Sequence, residues 1–300
     1  VNPYEHMLSM LRRYHGGAAD GERLANEMLV IGYNVVQDFV RLQVGPPWVW
    51  SPAMESFYGQ TDAFVYELLA YHYRPGRRQL REATADEVGK FLPGGGRVLC
   101  LGDGIGFDAC EIAARNRDVK VVSFEFENAT STFARRLIDD SGLSDHTVQL
   151  SQVEELSAGS FDVVVCYDVL EHVPAPAELI RDIARYLKPG GRAFIVEAFE
   201  NVGPSHPTHL LSNLKYAGRT IPLFEAAGLR FEGIGPENFR IFVKGPRTSR
   251  QSTAWIRFRQ RANGVRARAW FAYRYGGPEK VDLREAKING PAFARTSRGM

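Results

Sequence analysis

The sequence predicts a doubly wound α/β sheet, preceded by a helical region and followed by a basic β-hairpin extension. Three observations carry this. Strand-like and helical stretches alternate from Arg97 onward, as parallel sheets with crossover helices require. The residues before about 90 show helical spacing without strand alternation, and an arginine-rich segment with a central Asn-Gly pair follows Lys244. The chain divides accordingly into a helical region at 1–90 that forms a lid and acceptor side, a sheet core at 91–245 and a basic extension at 246–300.

In the first region Leu24, Met28, Ile31 and Val35, then Phe64, Val65, Leu68 and Leu69, recur at the spacing that lines one helix face. Gly45-Pro46-Pro47-Trp48 interrupts them and predicts a loop, since proline lacks the amide a helix needs. Strands are expected at Arg97–Leu101, Val119–Glu125, Thr147–Ser151, Phe161–Asp168 and Arg192–Phe199. Helices are expected between them at Phe107–Arg115, Ala129–Asp140 and Ala177–Leu187, the last stopped by Lys188-Pro189-Gly190-Gly191. A further helix ending near Gly228 precedes two closing strands, Leu229–Ile234 and Phe239–Lys244.

A chain of 300 residues with 44% hydrophobic side chains buries one large core with room for additions. Its 37 basic and 35 acidic side chains nearly cancel, so overall charge argues for no polyanionic partner. Cys100, Cys110 and Cys166 lie in apolar stretches with no CxxC pair, which reads as reduced thiols of a cytoplasmic protein rather than disulfides or a zinc site. With no run of 18 apolar residues and no basic leader before a short apolar segment, neither a membrane span nor a secretory signal is expected.

The most specific stretch is Val98-Leu99-Cys100-Leu101-Gly102-Asp103-Gly104-Ile105-Gly106, a buried strand running into three alternate glycines and then a helix. Such a loop lets backbone approach a ligand closely. The second strand ends in Glu125, an acid placed to accept ribose hydroxyls, with Phe126 beside it to pack on an adenine ring. A dinucleotide site would need a third glycine where Phe107 stands, so the loop suits a nucleoside without a pyrophosphate.

These residues, with Phe161-Asp162-Val163-Val164-Val165-Cys166-Tyr167-Asp168-Val169-Leu170-Glu171-His172-Val173 and Leu187-Lys188-Pro189-Gly190-Gly191 in the same order, resemble the class I S-adenosylmethionine-dependent methyltransferases from about Arg97 to Lys244. The resemblance implies a Rossmann-like seven-strand sheet, with S-adenosylmethionine as methyl donor and S-adenosylhomocysteine as product. By position it implies that Gly102, Asp103, Gly104 and Gly106 wrap the methionine part, that Glu125 and Phe126 hold the nucleoside, and that Gln152, Val153 and Glu154 meet the adenine edge. Tyr167 and Asp168 would lie beside the transferable methyl. Tyr58, in the aromatic stretch that also holds Tyr66, would line the pocket from a helix lying over it, or pack with its neighbours against the sheet edge. The chain departs from the family at Cys100, where an acid is usual in the first strand, and at Gln152, which replaces a common aspartate.

An activated sulfonium methyl needs alignment above all, and a base only where the acceptor must lose a proton. His172 after the fourth strand, and His206 and His209 in the loop after the fifth, are the candidates. Each also has a structural reading, as a helix-start or loop histidine. Glu197 and Glu200 could orient such a base or bind an acceptor amine, or be strand-end carboxylates that need no function. His206 and His209 have metal-ligand spacing but no third ligand of clear spacing, so no metal is expected.

From Lys244 to Tyr275 there are nine Lys or Arg and no acid, leaving −7 on the rest of the chain. Arginines alternate with apolar residues around Asn263-Gly264, which predicts a hairpin with one basic face. Three functions follow: methyl transfer to O, N or C of a small-molecule metabolite or natural-product acceptor, methyl transfer to RNA or another polyanion through the hairpin, and cofactor binding without catalysis. The first is favoured, because no RNA-binding motif accompanies the basic segment. Oligomeric state is left open.

Overall fold

The computed structural model describes residues 3–14, 35–245, 253–277, 280–281 and 283. The spacing at Leu24, Met28 and Ile31 lies outside these residues. Among the described residues five helices come first: α1 (Pro3–Tyr14), α2 (Val35–Arg41), α3 (Pro52–Gln60), α4 (Ala63–His72) and α5 (Pro75–Phe91). The expected Gly-Pro-Pro loop falls between α2 and α3.

From Gly96 the chain alternates as β1 (Gly96–Leu101), α6 (Phe107–Arg115), β2 (Val119–Phe124), α7 (Ala129–Asp140), β3 (Thr147–Leu150), β4 (Phe161–Tyr167), α8 (Pro176–Tyr186) and β5 (Leu187–Val196). Then come α9 (Thr220–Ala226), β6 (Leu229–Ile234), β7 (Arg240–Lys244) and α10 (Thr253–Tyr275). The sheet order is β3-β2-β1-β4-β5-β7-β6, with β7 antiparallel to both neighbours and the other pairings parallel. The chain thus winds outward from β1 in both directions, and the switch between β1 and β4 opens a crevice at their carboxyl ends.

Alternation decides which face each strand residue covers. Val98, Cys100, Val163 and Val165 pack under Leu80, Val88, Ala109 and Ile112 of α5 and α6. Leu99, Leu101, Val164 and Ile195 pack under Ile180 and Ile183 of α8 and Phe224 of α9. Burial on both faces explains the unbroken Val163-Val164-Val165 run, which an alternating half-buried strand would not show.

Two expectations change. The Pro-Gly-Gly segment does end α8, but it lies inside β5, where the register against β4 shifts between Phe161 and Val163. The predicted C-terminal β-hairpin is instead one helix, α10, through Asn263-Gly264. The Asn-Gly pair serves packing rather than a turn. Asn263 Nδ2 donates to the carbonyl of Lys215 at 2.9 Å, and a Cβ at Gly264 would stand 3.3 Å from Lys215 Cβ. Buried Phe271 and half-buried Gln260, Ala267 and Tyr275 complete a stripe at helical spacing, which outweighs the local alternation.

Candidate cofactor and acceptor site

Gly102, Gly104 and Gly106 hold φ of 72°, 58° and 83°, a region where a side chain would be strained. They also admit close neighbours: a Cβ at 102 would meet Val169 Cγ2 at 2.5 Å, and one at 104 would meet Leu68 Cδ1 of α4 at 2.8 Å. Gly106 caps α6, so the loop runs directly into a helix N-terminus.

Glu125 bridges this loop to the end of β2. Its Oε2 accepts from Gly104 N and its Oε1 from Phe126 N, each at 3.0 Å. Each carboxylate oxygen keeps a second lone pair, which is what two ribose hydroxyls would need. Burial pushes the carboxyl up to about 7, against the two amides that favour its charge. Phe126 stands 62% exposed, edge-on to Phe124, and Val153 is exposed in the turn after β3 together with Gln152 and Glu154. Bare apolar surface beside a carboxylate fits a nucleoside, so these residues suit S-adenosylmethionine.

Two of the residues expected to touch the cofactor are engaged elsewhere. Asp103 is buried, takes the Ser123 hydroxyl at 2.7 Å and accepts from Asp108 N, which caps α6 from inside. Tyr167 points into the core under α5, where its hydroxyl pairs with Thr84 Oγ1 at 2.7 Å and Arg77 lies over its ring. Cys100, which stands where the family usually has an acid, is likewise buried in the sheet, packed with Ala109 and Ile112 of α6. Asp168 is different. It leaves β4 with φ of 54°, half-buried, and accepts from the Tyr71 hydroxyl of α4 at 2.9 Å. Tyr66 packs with Leu8, Leu69 and Phe133 and is part of the core.

The three histidines converge. The rings of His172 and His209 lie 4.5 Å apart edge to face, and those of His206 and His209 4.7 Å apart. His172 Nδ1 shares a hydrogen bond with the Tyr58 hydroxyl at 3.0 Å, so α3 reaches the same place. Burial lowers His172 to about 4 and His209 to about 2, and lowers the more exposed His206 as well. Glu171 is buried beside them with Oε2 unpaired, as is His209 Nδ1. Its carboxyl is raised by burial and by the charge of Asp168. Donor atoms of Glu171, His172 and His209 lie within 4.8 Å of one another, the one such set among the described residues. Glu171 is the third member that spacing alone did not single out, although it adjoins His172.

Backbone clamps hold this cluster. Trp48, at φ of 64°, donates from Nε1 to the carbonyls of Gly203 and His206 and from N to that of Pro207. Asn213 is buried, and its Nδ2 meets the carbonyls of Leu170, Glu171 and Val173. Neither signals itself in the sequence, because a lone Trp beside prolines and a lone Asn carry no motif. Glu197 is tied to Arg240 at 2.7 Å and to Thr220 at 2.6 Å, so it braces β7 and α9 rather than a base.

The sequence profile of a family described as a methyltransferase domain matches residues 72–232. Ubiquinone biosynthesis O-methyltransferase of Xanthomonas axonopodis pv. citri is 31% identical over 169 residues, covering 55% of this chain and 62% of that protein. The protein of the same name from Pseudomonas aeruginosa is 37% identical over 103 residues, covering 34% and 44%. The chain therefore spans less than two thirds of these relatives. Among solved structures, an O-methyltransferase family protein from Burkholderia thailandensis aligns with a TM-score of 0.47 at 18% identity over 72% of this chain and 69% of that one. A methyltransferase from Aquifex aeolicus aligns with 0.43 at 17% over 57% and 92%.

Proposed function

The chain belongs to the methyltransferase-domain family, class I enzymes that use S-adenosylmethionine, and on that premise we propose that it methylates a hydroxyl oxygen of a small-molecule acceptor. The observation that carries the choice of oxygen is the convergence of His172, His206 and His209 beside the ends of β4 and β5. A hydroxyl must lose its proton to become a good nucleophile, whereas many amines need no base. The names of the relatives agree with an oxygen acceptor.

The bound cofactor would supply a methyl on a sulfonium, ready for in-line displacement. Glu125 would hold the ribose, Phe126 and Val153 the adenine, and the glycine loop with Asp168 the amino-acid end. His206 is the group we assign to take the acceptor proton, because it is the exposed ring of the three and retains solvent. His209 packs against it on one side and His172 against His209, and Tyr58 fixes the His172 ring.

The test is transfer of labelled methyl from S-adenosylmethionine to a panel of phenols, alcohols and amines. Methyl ethers are expected as products. His206→Ala should lower turnover by about 100-fold to 10,000-fold with cofactor affinity almost unchanged, and His172→Ala and His209→Ala by less. Transfer to amines alone, or three alanine variants within a few-fold of the parent from about pH 6 to 9, would remove the base from the mechanism.

A further inference from the structure

We propose that α10 docks the protein on an anionic phospholipid surface. Its inner side packs on the 3-10 segment Leu211–Tyr216 and on Trp48, whose ring lies 4.9 Å from that of Phe271. The outer side is not the uniformly polar face of an ordinary surface helix. Val265 and Tyr273 are 70% and 92% exposed, and Phe258 is exposed too. At about 100° per residue, Phe258, Ala262, Val265, Ala269 and Tyr273 fall within an arc of about 80°. Exposed Arg261 and Arg268 border this strip on one side and exposed Arg266 on the other.

An apolar strip between two rows of arginines is the pattern of a helix lying in a bilayer interface, with side chains inserted below and guanidinium groups at the headgroups. No acid occurs between Lys244 and Tyr275, six of the nine basic residues of that segment fall in α10, and the chain outside the segment carries −7, so positive charge is concentrated on and next to this element. That complementarity selects negative lipid over a second copy of the chain, which would oppose arginine to arginine. A nucleic acid would meet the arginines but leave the strip against phosphate, where it gains nothing. Among the described residues no helix is long and apolar enough to cross a membrane, so the contact is with the surface. Trp48 also clamps the loop that carries His206, so docking through α10 would hold that loop near the lipid.

The test is co-sedimentation of the full chain with vesicles of equal phosphatidylcholine and phosphatidylglycerol, and with phosphatidylcholine alone, at physiological salt. Each basic residue near an anionic surface is worth about fivefold, so three arginines predict partition on the order of a hundredfold stronger on the anionic vesicles. Arg261→Glu with Arg268→Glu should lower that binding at least about tenfold. Val265→Ser with Tyr273→Ser, which keeps the charge, should lower it by about tenfold. All these side chains are exposed, and circular dichroism checks that the variants remain folded. Equal binding to both vesicles, or no effect of the serine pair, overturns the proposal. So does arginine-dependent retention on RNA without vesicle binding, or self-association abolished by the serine pair without vesicle binding. The readout is independent of methyl transfer, so its failure leaves the proposed reaction standing.

Discussion

At the scale of single residues, Glu125 makes the sharpest statement about pH. Its carboxyl is raised from an ordinary value near 4.5 to about 7 because the site buries it. Ribose hydroxyls donate to the charged form, so cofactor affinity should fall as pH drops through about 7 and level off above it. Calorimetric titration between pH 5.5 and 8.5 checks this, and Glu125→Gln should flatten the profile. Stability of the cofactor-free chain should show the opposite slope. A carboxyl raised on folding favours the protonated folded state, so its contribution is present below about 4.5 and is lost as pH rises through about 7. Glu125→Ala should weaken cofactor binding by about 1.5 to 3 kcal/mol, the scale of a charge-assisted hydrogen bond. The histidines answer a second question. Dialysis against a chelator should leave turnover unchanged; a loss restored by zinc or manganese would turn Glu171, His172 and His209 from positioning residues into ligands.

At the scale of elements, what could be read from the sequence was whatever depends on neighbours along the chain. The β–α alternation, the glycine loop and Glu125 are local patterns, and α6 and α7 stand at their expected bounds. The fate of Asn263-Gly264 depends on what lies 48 residues earlier, at Lys215, and no local rule reports that. The same holds for Asp103 and Tyr167: strand-end position was legible, but side-chain direction was set by Ser123 and Thr84 across the fold. Convergence of His172 with His209 was readable only as proximity of two strand ends, and Asn213, which staples the turn after β4, not at all. Asn213→Ala leaves three carbonyls without that donor. It should destabilise the chain by about 1 to 3 kcal/mol and lower turnover through the His172 turn, which denaturant melts and kinetics on the same variant would show.

At the scale of the whole molecule, the N-terminal helices act on the sheet through three contacts at the site. Leu68 of α4 lies against Gly104, the Tyr71 hydroxyl holds Asp168, and the Tyr58 hydroxyl of α3 holds His172. The glycine loop, Asp168 after β4 and the histidine cluster are thus each touched by an element before the sheet begins. The place to cut the chain follows from α5. Arg77 forms a buried ion pair with Asp108 at 2.7 Å, and a chain starting at Arg81 would leave that carboxylate unpaired under the core. Breaking a buried pair in this way costs about 3 to 5 kcal/mol, enough to confuse loss of function with loss of fold. A chain starting at Arg74 keeps α5 and both covers of the sheet, since Leu80, Ala85 and Val88 remain on β1 and β4. It should retain the circular dichroism of the α/β core and measurable cofactor affinity through Glu125, yet lose turnover by more than about 100-fold, the scale of lost alignment. Full turnover in that shortened, folded chain would show that the helices cover the site without shaping it.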